Sequence, residues 1–462
     1  MSVLAKLGRL LAFLMVTGTL MSVTASARAA DEFYGVVSQT SMSSAELNLM
    51  KSGGVGSLRL TVSSGSVSPA RGVFDWSELD QAVSGASAAG VSVLPAFYGT
   101  PSWMNPDFRT MPEDADSMAQ WNRMLTEAVR RYGNGGTFWT QNPDLPVMPI
   151  ETWQIWNEPN AKWFAVQPIV PKRYADLLIE SSKTIRSIDS EAKVMLAGIF
   201  PSPDDDEGMP GATYLSKLYK IDGFRQSFDS LAAHPYAANF EASVDHLVDI
   251  REVMRLAGDG DKGLYVTEIG WGSDLRTGLG LGSQAAQADR LTRFYATLLA
   301  FKSSLKLRGI YWFAWKDSPL NIKVCSFCYG TGLLDADGNP KLAWEALTDI
   351  IGPVSTTPLE AGSAVNGGVP CVVPDVVSMR VSRARKLVTR FNCRIQVKAK
   401  RWRKSSRGVA GRVKRQSRPP MTILPSDAVV RVVVLRHKKR RLARKILGTL
   451  RSGAPITRSV TP

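Results

Sequence analysis

Eight short apolar runs, each separated from the next by a longer stretch of mostly helical periodicity, constrain this chain more than any other feature. The runs are Tyr34–Val37, Ser57–Val62, Val91–Phe97, Thr152–Trp156, Lys193–Ile199, Ser230–Ala233, Leu264–Thr267 and Gly309–Ala314. Between them, segments such as Met118–Tyr132 and Lys172–Ile188 repeat apolar residues at the spacing of an amphipathic helix. Continuous apolar strands alternating with helices belong to a parallel sheet covered on both faces. An open, doubly wound sheet would announce itself by a Gly-rich turn after the first strand, and that turn is missing. Eight strand–helix units over about 320 residues therefore predict a closed (β/α)8 TIM barrel across residues 31–352.

The flanks carry other information. Lys6 and Arg9 precede the apolar run Leu10–Val16, and Ala27-Arg28-Ala29 offers small residues for cleavage. That pattern predicts a signal peptide over residues 1–29 and a secreted, extracellular protein. No later run is long enough for a transmembrane segment. In an exported chain, the four cysteines predict two disulfides, Cys325 with Cys328 and Cys371 with Cys393. Their unlike spacing is poor for zinc, and the three histidines (His234, His246, His437) supply little else, so no metal is expected.

Residues 353–370 are rich in Gly, Pro, Ser and Thr and read as a linker. Beyond them, Ala384, Leu387, Val388 and Phe391 make one amphipathic helix, followed by β-like runs near Arg394–Lys398, Gly408–Lys414 and Ala428–Leu435. The expected result is a small α+β domain over 371–436, one helix on a three-stranded sheet, with a basic tail over 437–462. The net charge of +16 conceals a division. From residue 371 onward there are 26 Lys and Arg against only Asp375 and Asp427, while the remainder is acidic on balance.

In such a barrel, functional side chains gather at the C-terminal ends of the strands. The residues expected there are Arg59 within the second run, Asn157 and Glu158 after the fourth, and His234-Pro235-Tyr236 after the sixth. Glu268 ends the seventh, and Trp315 follows the eighth. Strands four and seven stand on opposite sides of an eight-stranded barrel, so Glu158 and Glu268 can converge across its mouth. A retaining glycosidase needs such a pair, with carboxyl groups about 5–5.5 Å apart. An apolar wall, to which Trp156 and Trp163 can contribute, would help one of them hold its proton.

At these residues the chain resembles glycoside hydrolase clan A, with families 5 and 39 nearest. Asn157-Glu158-Pro159, His234-Pro235-Tyr236, Thr267-Glu268 and Trp315 occur in the expected order. Gly72-Val73-Phe74-Asp75-Trp76, Gly99-Thr100-Pro101-Ser102-Trp103 and Gly332-Leu333-Leu334-Asp335 add to the likeness over residues 34–349. The resemblance implies a β-glycosidase that needs no cofactor, with Glu158 as acid/base and Glu268 as nucleophile. Asn157 would bind the sugar 2-hydroxyl, Tyr236 and Arg59 would orient Glu268, and His234 would line the site. Trp315 would lie under the sugar, and Trp103 and Trp271 would stack on further rings of the carbohydrate substrate. A barrel that only holds glycan, and a transglycosylase, are the alternatives.

Two acidic stretches imitate calcium loops. Asp204-Asp205-Asp206-Glu207 is flanked by Pro203 and Gly208, which favours a solvated loop. Asp335-Ala336-Asp337-Gly338-Asn339 has Pro340 at the place of the glycine and Ala346 where a glutamate belongs, so it is expected to be a turn. Residues 371–436 resemble a PASTA domain, a cell-wall-associated module, through Val373-Pro374-Asp375-Val376-Val377 with Met379, Ala384-Arg385-Lys386-Leu387, Cys393-Arg394 and Gln416-Ser417. Ser378 and Met421 stand where that family has glycine. The module's positive charge would attract an anionic cell-wall polymer and keep the protein near the wall. Export argues against nucleic acid as its partner.

Overall fold

The computed structural model describes residues 31–201, 203, 207–275, 279–318 and 329–352, and within the C-terminal module 371–374, 376–377, 379–391, 393–401, 411–418, 423–424 and 428–436. The expected signal peptide, linker and tail, the Cys325 and Cys328 pair, and Asp204 to Asp206 lie outside the described residues.

Eight parallel strands close into a barrel, with β8 hydrogen-bonded to β1. They are β1 Asp31–Ser38, β2 Val55–Ser63, β3 Ser92–Tyr98, β4 Thr152–Asn157, β5 Lys193–Ile199, β6 Ser230–Ala233, β7 Gly263–Ile269 and β8 Leu307–Phe313. Each expected run became a strand. The barrel is narrow enough that its interior is filled by side chains. A Cβ on Gly35 would meet the Tyr311 ring at 2.2 Å, so β1 must carry glycine where the Tyr311 ring passes over it to reach Ser57 Oγ of β2 at 2.9 Å.

The helices pack their apolar stripes onto this sheet. Asp114 caps the helix Ala115–Tyr132 by accepting the N–H groups of Asp116 and Ser117. Trp121, Met124, Leu125, Ala128, Val129 and Tyr132 form its buried face. The helix Pro171–Ile188 begins on proline, which needs no N–H partner there. Among the described residues, no helix is long and apolar enough to cross a membrane. The Asp335 stretch is a turn: its carboxylate accepts from the N–H groups of Asp337 and Asn339 at 3.0 and 2.8 Å.

The C-terminal module is one helix, Val381–Arg390, on a three-stranded sheet. A short pair, β9 Cys371–Val372 with β12 Ile423–Leu424, was not expected from the sequence. The sheet itself is β10 Arg394–Arg401, β11 Val413–Gln416 and β13 Val429–Arg436, in the order β10-β13-β11. Ala384, Leu387, Val388 and Phe391 are buried, as are Val430, Val432 and Val434 of the central strand. Cys371 and Cys393 are joined by a disulfide, as the sequence led us to expect. Phe391 also meets Phe301 of the barrel edge-on, with ring centroids 5.3 Å apart. Phe301 lies just before β8, at the end of the barrel opposite the strand C-termini.

Candidate active site

Six of the nine residues expected at the site meet at the C-terminal mouth. Arg59 is wholly buried within β2, and its guanidinium reaches across the barrel. Nε donates to Gln154 Oε1 at 2.8 Å, Nη1 to Glu268 Oε1 at 2.7 Å and Nη2 to Asn157 Oδ1 at 2.9 Å. Tyr236 donates its hydroxyl to the other Glu268 oxygen at 3.0 Å. The His234 ring sits between the two carboxylates. Its Nδ1 is 2.8 Å from Glu158 Oε1, and its Nε2 is 2.9 Å from Thr267 Oγ1 and 3.7 Å from Glu268 Oε1. The remaining Glu158 oxygen accepts from the Trp163 indole N–H.

A regular strand turns successive side chains to opposite faces, yet Asn157 and Glu158 both serve the mouth, as do Thr267 and Glu268. The backbone shows how. Trp156 and Glu158 have φ of 70° and 37°, a left-handed conformation that costs a non-glycine residue about 1–3 kcal/mol. A hydrogen bond from the Glu158 N–H to the Gly198 carbonyl, 3.1 Å, holds the turned segment against β5. On β7 the register pairs Val266 with Ile310 but Ile269 with Trp312. Three residues there span an interval of two on β8, a bulge that re-aims the strand's side chains.

The electrostatics of the two acids differ. Burial works to raise the Glu268 carboxyl, but the charges of His234 and Arg59 and the bonds from Arg59 and Tyr236 outweigh it and hold it below the usual carboxylate range. Burial, reinforced by the two carboxylates, pushes the Tyr236 phenol well up, so it stays a donor. Around Glu158 the direct partners are an indole N–H and an imidazole nitrogen, without a guanidinium.

One oxygen of Glu158, one of Glu268 and one His234 nitrogen lie within 4.8 Å of one another, close enough to consider a metal. The donors are already committed, however. Both His234 nitrogens face hydrogen-bonding partners, and the Arg59 cation sits against Glu268 Oε1. The cluster fits proton transfer and nucleophilic attack better than cation coordination.

Two of the three expected stacking residues, Trp271 and Trp315, are buried in the core. Trp271 is in the core: it is wholly buried, bonded to the Ala237 carbonyl at 2.8 Å and packed on Phe294 and Trp312. Trp315 is 1% exposed and meets Trp344 edge-on at 5.2 Å. Its backbone N–H is tied to Val37 of β1, 2.8 Å away, so the chain has already left the strand path there. The aromatic that β8 brings to the site is Phe313, 6.4 Å from the Tyr236 ring and perpendicular to it. Trp103 is half-buried, bonded to the Ser68 carbonyl at 2.7 Å, with Arg71 over its ring at 5.3 Å.

Sequence reading assigned no role to Gln154, Thr267, Gly198 or Phe313. Gln154 gave a faint signal, a polar residue inside an apolar strand. Gly198 gave none, because its function depends on which residue of the next strand faces it.

No protein-family model matches the chain, and no curated protein matches its sequence. Solved structures do match. A family 39 glycoside hydrolase from the gut symbiont Bacteroides cellulosilyticus WH2 is 21% identical with a TM-score of 0.55, over 71% of this chain and 64% of that one. A monomeric β-xylosidase from Caulobacter crescentus CB15 is 17% identical with a TM-score of 0.51, over 70% and 68%. A family 5 subfamily 18 enzyme from Bifidobacterium longum is 14% identical with a TM-score of 0.51, over 67% and 72%. The barrel has the fold of family 39 and family 5 glycoside hydrolases. The expectation drawn from the sequence is met at that level, and the chain spans about two thirds of those proteins' length.

Proposed function

We propose that the barrel is a retaining β-glycosidase in which Glu268 attacks the anomeric carbon and Glu158 protonates the leaving oxygen. The observation that carries this reading is the pair of carboxylate oxygens within 4.8 Å of each other. Double displacement calls for about 5–5.5 Å between the acids, whereas inversion needs about 6.5–9.5 Å to admit a water. The unequal surroundings divide the labour. Arg59 and Tyr236 hold Glu268 as an anion ready to attack. Glu158, held by His234 and Trp163 with no guanidinium bonded to it, gives its proton to the leaving group and later takes one from water. Asn157, oriented by Arg59 Nη2, is free to meet the sugar 2-hydroxyl through its amide N–H groups, and Phe313 replaces Trp315 as the ring beneath the sugar.

The test is a panel of aryl β-glycosides and polysaccharides, xylosidic substrates included, with Glu268→Ala as control. Turnover that disappears in Glu268→Ala and returns with azide as an inverted product supports the assignment. Full activity in both Glu268→Ala and Glu158→Ala defeats it.

For the whole chain we propose export, with the C-terminal module holding the enzyme near an anionic wall polymer. The outer face of its sheet supports this: Arg394, Lys398, Arg415 and Arg431 are exposed there, and the module's two acids are Asp375 and Asp427. Retention of the full chain on immobilised polygalacturonate should fall steeply between 50 and 200 mM salt, conditions chosen for the assay. It should weaken when those four residues become serine. Retention unchanged by the four substitutions would remove the sheet face as the anchor.

A further inference from the structure

Arg59 is fully buried, and its three side-chain hydrogen bonds hold it between β4 and β7. Only one of its three acceptors, Glu268, is charged; Asn157 and Gln154 are amides. Gln154 is itself fully buried, and among the described residues its Nε2 has no hydrogen-bond partner. An unpaired buried amide N–H is destabilising, so packing alone gives no reason for glutamine here. Leucine would avoid that cost but leave the Arg59 Nε–H without an acceptor. Glutamate would accept the same bond but would take part of the guanidinium's charge.

We propose that Gln154 is a positioning residue: its amide oxygen fixes the Arg59 guanidinium while, being neutral, it leaves the cation undivided for Glu268. This rests on reading Glu268 as the nucleophile. The groups facing Glu268 are Arg59 from β2, Tyr98 from the end of β3, Glu158 after β4, and His234 and Tyr236 after β6. Among them Arg59 alone carries a permanent positive charge, and His234 divides its two nitrogens between Glu158 and Thr267. Beside the charge of His234, keeping Glu268 ionised in the presence of Glu158 therefore depends on where the guanidinium sits and on how many carboxylates share it.

The experiment is the pH dependence of kcat/KM on an activated aryl β-glycoside, measured for the full chain and for Gln154→Glu and Gln154→Leu. The acidic limb reports the nucleophile in the free enzyme. In Gln154→Glu a second carboxylate shares Arg59, and in Gln154→Leu the guanidinium loses its anchor. Both changes should move the limb to higher pH, by about one unit. Gln154→Glu is nearly isosteric, so it keeps the test open if Gln154→Leu fails to fold. Azide rescue of Glu268→Ala on the same substrate checks the nucleophile assignment separately. With rescue observed, folded Gln154 variants whose limb coincides with the wild type would overturn the proposal even if kcat fell, because a merely structural residue lowers the rate without moving the limb.

Discussion

Gly198 on β5 lies opposite Asn157 of β4 and decides where His234 can sit. A Cβ at this position would lie 2.0 Å from His234 Nε2 and 2.4 Å from Cδ2 and Cε1. Its backbone is not left-handed, so space alone forbids a side chain. The imidazole cannot retreat freely, because Nδ1 is tied to Glu158 at 2.8 Å and Nε2 to Thr267 at 2.9 Å, with the ring wholly buried. Restoring ordinary contact requires a shift of about 1.5 Å. A displacement of that order at a catalytic constellation costs about 100-fold in rate, and overpacking a core costs about 1–3 kcal/mol. Gly198→Ala should therefore lose about two decades of kcat and several degrees of thermal midpoint. The loss should be greater for glycosides with poor leaving groups, because the displaced ring is the one that holds Glu158. Gly65→Ala is the control, since its added Cβ meets nothing nearer than Ser63 Oγ at 3.5 Å. A Gly198→Ala protein with wild-type kcat and melting temperature would refute the claim that His234 is fixed between its two partners.

Arg59→Met should destabilise the fold by about 3–5 kcal/mol in urea denaturation at pH 7, because it leaves the Glu268 carboxylate buried without its cation. The folded Glu268 carboxyl is held below its ordinary value, so its contribution exists above that value and disappears as pH falls through the folded one; the penalty of the substitution should shrink in acid. His246 is driven mainly by burial from 6.5 down to about 4. Between those values the unfolded chain binds the proton and the folded chain does not, so stability should fall by about 3 kcal/mol as pH drops through that window. His246→Gln should melt with a flatter pH dependence there. Trp271→Phe should lower the melting temperature and leave KM for long oligosaccharides unchanged; a raised KM at constant melting temperature would return Trp271 to the substrate.

The barrel was legible because its strands are covered on both faces and so stand out as apolar runs, and because the helices between them keep a clean periodicity. The acids were legible for a different reason: strand ends are where this architecture collects function, and Glu158 and Glu268 sit at two of them. Trp271 and Trp315 were misplaced by the same rule. Proximity to a strand end does not say which way a ring points. Trp271 follows β7 by two residues and turns into the core, and Trp315 follows β8 by two and is bound to β1 through its backbone. A residue type favoured for stacking on sugar is equally favoured for filling a core.

What stayed hidden is mostly what departs from regular geometry. Strict alternation would let only one of Asn157 and Glu158, and one of Thr267 and Glu268, face the lumen. The left-handed residues Trp156 and Glu158 and the bulge between Val266 and Ile269 remove that restriction on the two strands that carry the acids. The consequence is density: Arg59, with its single long side chain, can bond Asn157 and Glu268 together, and His234 can touch Glu158 and Thr267 together. Had both strands stayed regular, the acids could still have faced the mouth, but Asn157 and Thr267 would have turned away. Arg59 and His234 would then each have lost a partner. The irregularities thus do not place the reacting groups so much as supply the neighbours that hold them, which is why a pattern of apolar runs reveals the two glutamates and not their supports.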